Sequence, residues 1–130
     1  MLKTKMLVGT ILAALAVALG AFGAHGLKNY ADVTTLNTFE TAVRYQFYHA
    51  LAILIASILY ASYPDKKIKQ ASTFFILGIC LFSGSLYVLT LLKIYAVTSF
   101  NFIGAITPLG GLSFILGWLF LALGINAKNK

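Results

Sequence analysis

The sequence predicts an all-α, polytopic membrane protein: four transmembrane helices in a compact bundle, with both termini cytoplasmic. Three observations carry this reading. Sixty per cent of the 130 residues are apolar and mean hydropathy is +0.90, whereas about half the residues of a soluble domain are apolar. Charge is scarce, with ten Lys and Arg against three Asp and Glu. The apolar residues fall into four runs. Because a hydrocarbon core of about 30 Å takes about 20 residues of helix, four spans consume most of the chain and leave no room for a soluble domain. A single transmembrane domain over residues 1–130 is expected.

The first helix is expected over residues 6–25, after Lys3 and Lys5. A basic start and an apolar run also fit a secretory signal peptide, with Ala21-Phe22-Gly23 as a poor cleavage site. The length of the run and the three spans after it favour retention. Ala13, Ala16, Gly20 and Ala24 recur at helical spacing, a small-residue stripe that lets membrane helices approach closely.

The second helix is expected over residues 38–63. Asn37 followed by Glu40 has capping-box spacing, and Pro64 disfavours helix at the residue before it. Lys66, Lys67 and Lys69 form the expected loop before a third helix over residues 70–92. A fourth covers 102–125. There Pro108 predicts either a kink near the start or a helix opening with Thr107 as cap and Pro108 in first position. Gly110, Ser113, Gly117 and Gly124 share one face of it. Ala13, Gly20, Gly84, Gly110 and Gly117 are the expected packing positions.

Lysines set the expected orientation. Lys3, Lys5, Lys66, Lys67, Lys69, Lys128 and Lys130 fall on one side, against Lys28, Arg44 and Lys93 on the other. The positive-inside rule then puts both termini in the cytoplasm of a multi-pass protein, expected in a bacterial cytoplasmic (inner) membrane. The net charge of +7 lies in short flanks rather than along one stripe, so it does not indicate nucleic acid. Cys80 is the sole cysteine, which excludes an intrachain disulfide and a cysteine metal cluster.

With that topology the polar positions converge on the outer half of the bundle. At 100° per residue Thr41, Tyr45, Tyr48, His49, Ala52, Ala56 and Tyr63 cluster about one line of the second helix. Ser83, Tyr87 and Thr90 share a face of the third. Glu40 and Arg44 stand four apart in the favourable order for a structural ion pair. The candidate ligand-binding residues are therefore Arg44, Tyr45, Tyr48, His49, Tyr87 and His25. No catalytic residue, no metal ligand and no cofactor is expected.

The segments Gly23-Ala24-His25-Gly26-Leu27, Tyr45-Gln46-Phe47-Tyr48-His49-Ala50-Leu51, Ser83-Gly84-Ser85-Leu86-Tyr87 and Thr107-Pro108-Leu109-Gly110-Gly111, followed by Gly117-Trp118, resemble the membrane-protein family called domain of unknown function 423, related to transmembrane protein 256 of animals. The resemblance covers nearly the whole chain and implies a four-helix membrane protein with an uncleaved first helix. It implies no reaction.

The residues themselves point to a non-enzymatic membrane protein whose outer Tyr/His/Arg cluster meets a lipid headgroup, a small ligand or a partner subunit. The expected partners are the lipid bilayer and a homo-oligomer or membrane protein partner. A transporter or channel component acting as an oligomer is the alternative, because a Gly/Pro-interrupted helix exposes backbone groups. A bis-His haem or metal site joining His25 to His49 is a further alternative, as is a nucleophile made of Ser83 or Ser85 with His49.

Overall fold

The structure is a computed structural model that describes residues 2–127. Lys128 and Lys130, which entered the charge asymmetry, lie outside the described residues. Among the described residues four rods are long and apolar enough to cross a membrane: Lys3–Asn29, Val33–Ser62, Lys66–Ile94 and Asn101–Asn126.

Helix α1 (Lys3–His25) ends where Gly26 N–H donates to Phe22 O at 2.8 Å. A 3₁₀ turn, Leu27–Asn29, follows and is pinned by buried Leu27. Helix α2 (Val33–Ser62) is capped by Asp32, whose Oδ1 accepts from Thr35 N–H at 2.7 Å. Asn37 and Glu40 are therefore interior helical residues rather than a capping box, and the helix begins five residues before its expected start. An aspartate cap satisfies the same orphan amide, and the polar first turn that resembles a loop is its exposed surface.

After Pro64, Asp65 caps α3 (Lys66–Gly78) by accepting from Lys67 N–H at 2.7 Å. The basic run expected to be a loop is the first turn of this helix. Helix α3 continues through a π turn (Ile79–Ser83) into α4 (Gly84–Ile94), so one rod is built from three segments. The π turn was not expected from the sequence. The rod closes in a Schellman arrangement: Val97 N–H donates to Leu92 O at 2.8 Å and Ala96 N–H to Lys93 O at 3.2 Å. Ala96 takes φ 51°, a conformation that glycine adopts more cheaply.

A 3₁₀ turn, Asn101–Ala105, leads into α5 (Ile106–Asn126). Pro108 thus sits within the first turn of a helix that has already begun, where the amides have no intrahelical partner in any case. Thr107 is helical and does not serve as the cap, so the helix does not open at Pro108.

Helix α2 and the α3–α4 rod form a central pair, with α1 laid against α2 and α5 against α3. Ile53, Ala56, Ile68, Ala71, Phe75 and Phe114 fill the centre. The outer helices approach through small residues seven apart, Gly9, Ala16 and Gly23 on α1 and Gly110, Gly117 and Gly124 on α5, all buried. A seven-residue repeat is the seam of left-handed helix packing. A methyl on Gly117 would lie 2.6 Å from Phe75 Cε1, and one on Gly110 would lie 2.7 Å from the Phe82 Cα.

The other expected packing positions differ. Ala13 and Gly20 are half-buried, Gly20 facing Val43, while Ala24 is exposed. Gly84 makes no close approach: a methyl there would find nothing nearer than Ile79 O at 3.9 Å. The extra residue of the π turn sends this glycine away from its neighbours. Leu15, Val17, Ile55, Ile58, Leu112 and Leu119 stay exposed. These are the surface that lipid covers.

Candidate functional site

Because lipid tails solvate leucine as well as another helix does, membrane helices gain specificity from close packing and interhelical hydrogen bonds. Such bonds tie every helix here. Ser83 Oγ donates to Ala42 O at 2.7 Å, joining the π turn to α2, and Ser113 Oγ donates to Phe74 O at 2.7 Å, joining α5 to α3. Ser85 and Thr107 hydroxyls meet at 2.6 Å. Lys5 Nζ donates to Lys69 O at 3.1 Å and to the Thr73 hydroxyl, so the Lys3–Lys5 and Lys66–Lys69 runs share one end of the molecule.

Gln46 is the hub. Buried on α2, it donates through Nε2 to Leu12 O of α1 at 2.8 Å and accepts at Oε1 from the Tyr87 hydroxyl of α4 at 2.6 Å. His49, only 5% exposed, is held at both nitrogens: Nδ1 meets Tyr45 O at 2.8 Å, and Nε2 accepts from Trp118 Nε1–H at 3.2 Å. A carbonyl only accepts and an indole only donates, so the ring is neutral with its proton on Nδ1. Phe114 stacks on it with centroids 3.6 Å apart.

These contacts divide the expected cluster. Tyr45 and His49 face α5 across a groove of about 590 Å³, together with Phe82, Leu112, Phe114 and Trp118. Tyr87 is inside the bundle, on Gln46 and 5.5 Å from the Phe39 ring. Tyr48 is 53% exposed and lies with Arg44 on the opposite flank of α2. His25 is exposed at the tip of α1. The buried stripe of α2 runs through Ala42, Gln46, His49 and Ile53, turned by nearly one residue from the expected line, and that rotation sends Tyr48 outward.

Two expected pairings do not form. Glu40 and Arg44 are both exposed and make no ion pair; Lys67–Asp65 at 3.9 Å is the only one among the described residues. An exposed pair of this spacing gains only about 0.3–0.5 kcal/mol, too little to fix two long side chains. His25 and His49 lie at different heights. Gln46, beside His49 in sequence, bonds to Leu12, so His49 is level with α1 about 13 residues from His25, roughly 20 Å along the axis. No single iron or metal ion is within reach of both. The serine–histidine pairing fails likewise, since Ser83 is committed to Ala42 O and both His49 nitrogens are engaged.

Arg44 is exposed. Two adjoining hollows run along the α1–α2 seam. One of about 300 Å³ is lined by Ala16, Val17, Phe47 and Tyr48, the other of about 230 Å³ by Phe39 and Glu40, and Gly20, Val43 and Arg44 belong to both. Together they make a trough, apolar at the bilayer-centre end, with Arg44 midway and Glu40 one turn beyond. Gly20 lies level with Val43 and Gly23 with Phe39. Arg44 therefore sits about five residues, roughly 8 Å, below the end of α1.

Nearer the loops, Asp32 lines a hollow with Lys93 and Asn101. Its carboxyl is held below the ordinary aspartate value, first by the hydrogen bond from the Thr35 amide and then by the bond to the Thr35 side chain, against a smaller opposing effect of desolvation, with the Lys93 charge adding least.

Sequence reasoning missed Gln46 and Trp118. An amide between Tyr45 and Phe47, on a helix otherwise turning apolar, was the available signal for Gln46. For Trp118 the signal was its indole N–H, a donor that needs a protein partner wherever hydrocarbon rather than water surrounds it.

All-helical, with four rods of spanning length tied by interhelical hydrogen bonds, the molecule is a multi-pass membrane protein. The family model described as Protein of unknown function (DUF423) matches residues 19–111. The chain is 41% identical to a UPF0382 membrane protein of Staphylococcus saprophyticus over 95% of this chain and 97% of that one. It is 40% identical to the UPF0382 membrane protein YwdK of Bacillus subtilis over 94% and 95%, and 41% identical to a UPF0382 membrane protein of Haemophilus influenzae over 88% and 86%. The chain belongs to the DUF423 family. No solved structure matches it.

Proposed function

We propose that this chain is a non-enzymatic, multi-pass protein of the bacterial cytoplasmic membrane that holds a phospholipid in the α1–α2 trough, with the lipid phosphate on Arg44 and the Tyr48 hydroxyl beside it. One observation carries the reading. A guanidinium within a membrane span makes no ion pair among the described residues and lines a hollow of about 300 Å³ whose walls include Ala16, Val17, Val43 and Phe47. A cation inside the hydrocarbon costs about 2.5–3.5 kcal/mol at the bilayer centre and less near the interface. Snorkelling moves Arg44 toward the headgroup layer, and a phosphate there supplies the missing anion in the bidentate geometry that guanidinium favours.

The orientation is part of the proposal: both termini cytoplasmic and Arg44 in the outer leaflet. Its support is the gathering of Lys3, Lys5, Lys66, Lys67 and Lys69 at one end, and the bacterial origin of the relatives fits the membrane. The committed state of Ser83, Ser85 and His49 supports a role without bond-making chemistry.

Native mass spectrometry of the full chain released from membranes tests the lipid reading. A retained phospholipid is expected, lost in Arg44→Gln while the protein stays folded. Equal retention by that variant refutes it. A phosphatase or fluorescent-protein reporter fused after Lys130 tests the orientation, and external activity would reverse it.

A further inference from the structure

Glu40 and Arg44 have the spacing and order that normally draw a carboxylate and a guanidinium together, yet they stand apart on one wall of the trough. Their order along the bilayer normal is specific. Ala16, Val17, Phe47 and the ring of Tyr48 lie deepest, Arg44 comes next, and Glu40 lies four residues, about 6 Å, nearer the loop end. An aminophospholipid carries its groups in the same order from the bilayer centre outward: acyl chain, phosphate, primary ammonium.

We infer that the trough selects an amine-bearing phospholipid, phosphate on Arg44 and ammonium on Glu40, rather than a purely anionic or a choline lipid. This rests on the phospholipid reading of Arg44 and adds to it the class of headgroup. Each charge completes the other through the ligand, so neither needs an intramolecular partner and a net-neutral headgroup leaves no charge over. A primary ammonium donates hydrogen bonds to a carboxylate. A choline headgroup, with no N–H, cannot. A headgroup with phosphate and hydroxyls alone leaves Glu40 facing negative charge. A second copy of the chain, with Glu40 of each protomer reaching Arg44 of the other, matches the charges too, but it requires a convex ridge to fill a concave seam.

The test uses the purified full chain in detergent, titrated with dioleoyl phosphatidylethanolamine, phosphatidylcholine and phosphatidylglycerol and read by native mass spectrometry. Retention of phosphatidylethanolamine about two- to fivefold above phosphatidylcholine is expected, the size of one exposed charge-assisted contact. Glu40→Gln, an exposed substitution that leaves packing intact, brings that ratio to unity while keeping lipid bound. Arg44→Gln loses all three lipids.

If wild-type protein binds all three lipids alike while Arg44→Gln binds none, the amine selection is overturned and the phosphate contact stands. If Arg44→Gln binds as wild type does, both fall. A lipid-free dimer that Glu40→Arg or Arg44→Glu dissolves, and the double exchange restores, overturns the inference in favour of self-association.

Discussion

Alanine at Gly110 places its methyl carbon 2.7 Å from the Phe82 Cα, where the obstacle is backbone and has no rotamer to yield. Carbon atoms rest at about 3.5–4.0 Å, so α5 must retreat from the π turn by about 1 Å. Overpacking of this kind costs about 1–3 kcal/mol, set against a gain of up to about 1 kcal/mol from replacing a helical glycine. The expected net loss is about 1–2 kcal/mol.

At Gly84, twenty-six positions earlier (110 minus 84), the same substitution has the opposite sign. Its backbone is helical at φ −58° and ψ −46°, and the new methyl meets only Ile79 O at an ordinary 3.9 Å. Gly84→Ala therefore stabilises by about 0.5–1 kcal/mol. Reversible unfolding in dodecyl maltoside micelles titrated with sodium dodecyl sulfate measures both. If the two variants shift alike, or Gly84→Ala is the more damaging, the packing account of α5 against the π turn is wrong.

Ala96→Gly relieves a left-handed residue in the Schellman turn and is expected to stabilise by about 1 kcal/mol in the same unfolding experiment; a loss would mean that the alanine methyl is held by contacts outweighing its strain. Trp118→Phe keeps an aromatic ring beside Phe75 but removes the donor to His49 Nε2, at an expected cost of about 0.6–1.7 kcal/mol. An unchanged midpoint would show that the bond is absent in the folded protein. Because the Asp32 carboxyl titrates below its ordinary value, its contribution is complete above about pH 4 and fades as acid protonates it. The protection of the Thr35 amide, its exchange relative to the intrinsic rate at each pH, should fall in acid in wild type and not in Asp32→Asn, which keeps a cap but loses the titration; parallel profiles would remove Asp32 as the cause.

Four spans were legible because hydropathy over about 20 residues depends on no neighbour. Starting points were less so. The exposed first turns of α2 and α3 carry Thr34, Asn37, Lys66, Lys67 and Lys69, which resemble loop until Asp32 and Asp65 are seen to cap them. On α1 the small residues were read at spacings of three and four, while the contacts run at a spacing of seven through Gly9, Ala16 and Gly23; on α5 the face read from the sequence, Gly110, Ser113, Gly117 and Gly124, is the one buried. That repeat is visible in the sequence, but its meaning depends on which helix lies opposite.

The site fared worst for the same reason. Helix α2 touches α1, α3, the π turn and α4, so residues sharing one arc of it are divided among different neighbours. Tyr45 and Tyr48, three apart, end on separate flanks. Arg44 lies exposed on the outside of α2, and the partner expected for it, Glu40, did not close on it.

The π turn at Ile79–Ser83 carries a wider consequence. A single surplus residue advances everything after it by about 100° around the axis, so one continuous rod presents two unrelated fronts. Phe75 and Gly78 before it engage α5, while Ser83 and Tyr87 engage α2. The rod works as a key cut on two edges. Removing any one residue between 79 and 83 lets the turn close as ordinary α-helix, with Phe75 kept on one front and Tyr87 and Ser85 on the other. Such a deletion is expected to be milder than one made within α3 or α4, where no surplus residue takes up the shift and a whole edge is misaligned instead of one tooth.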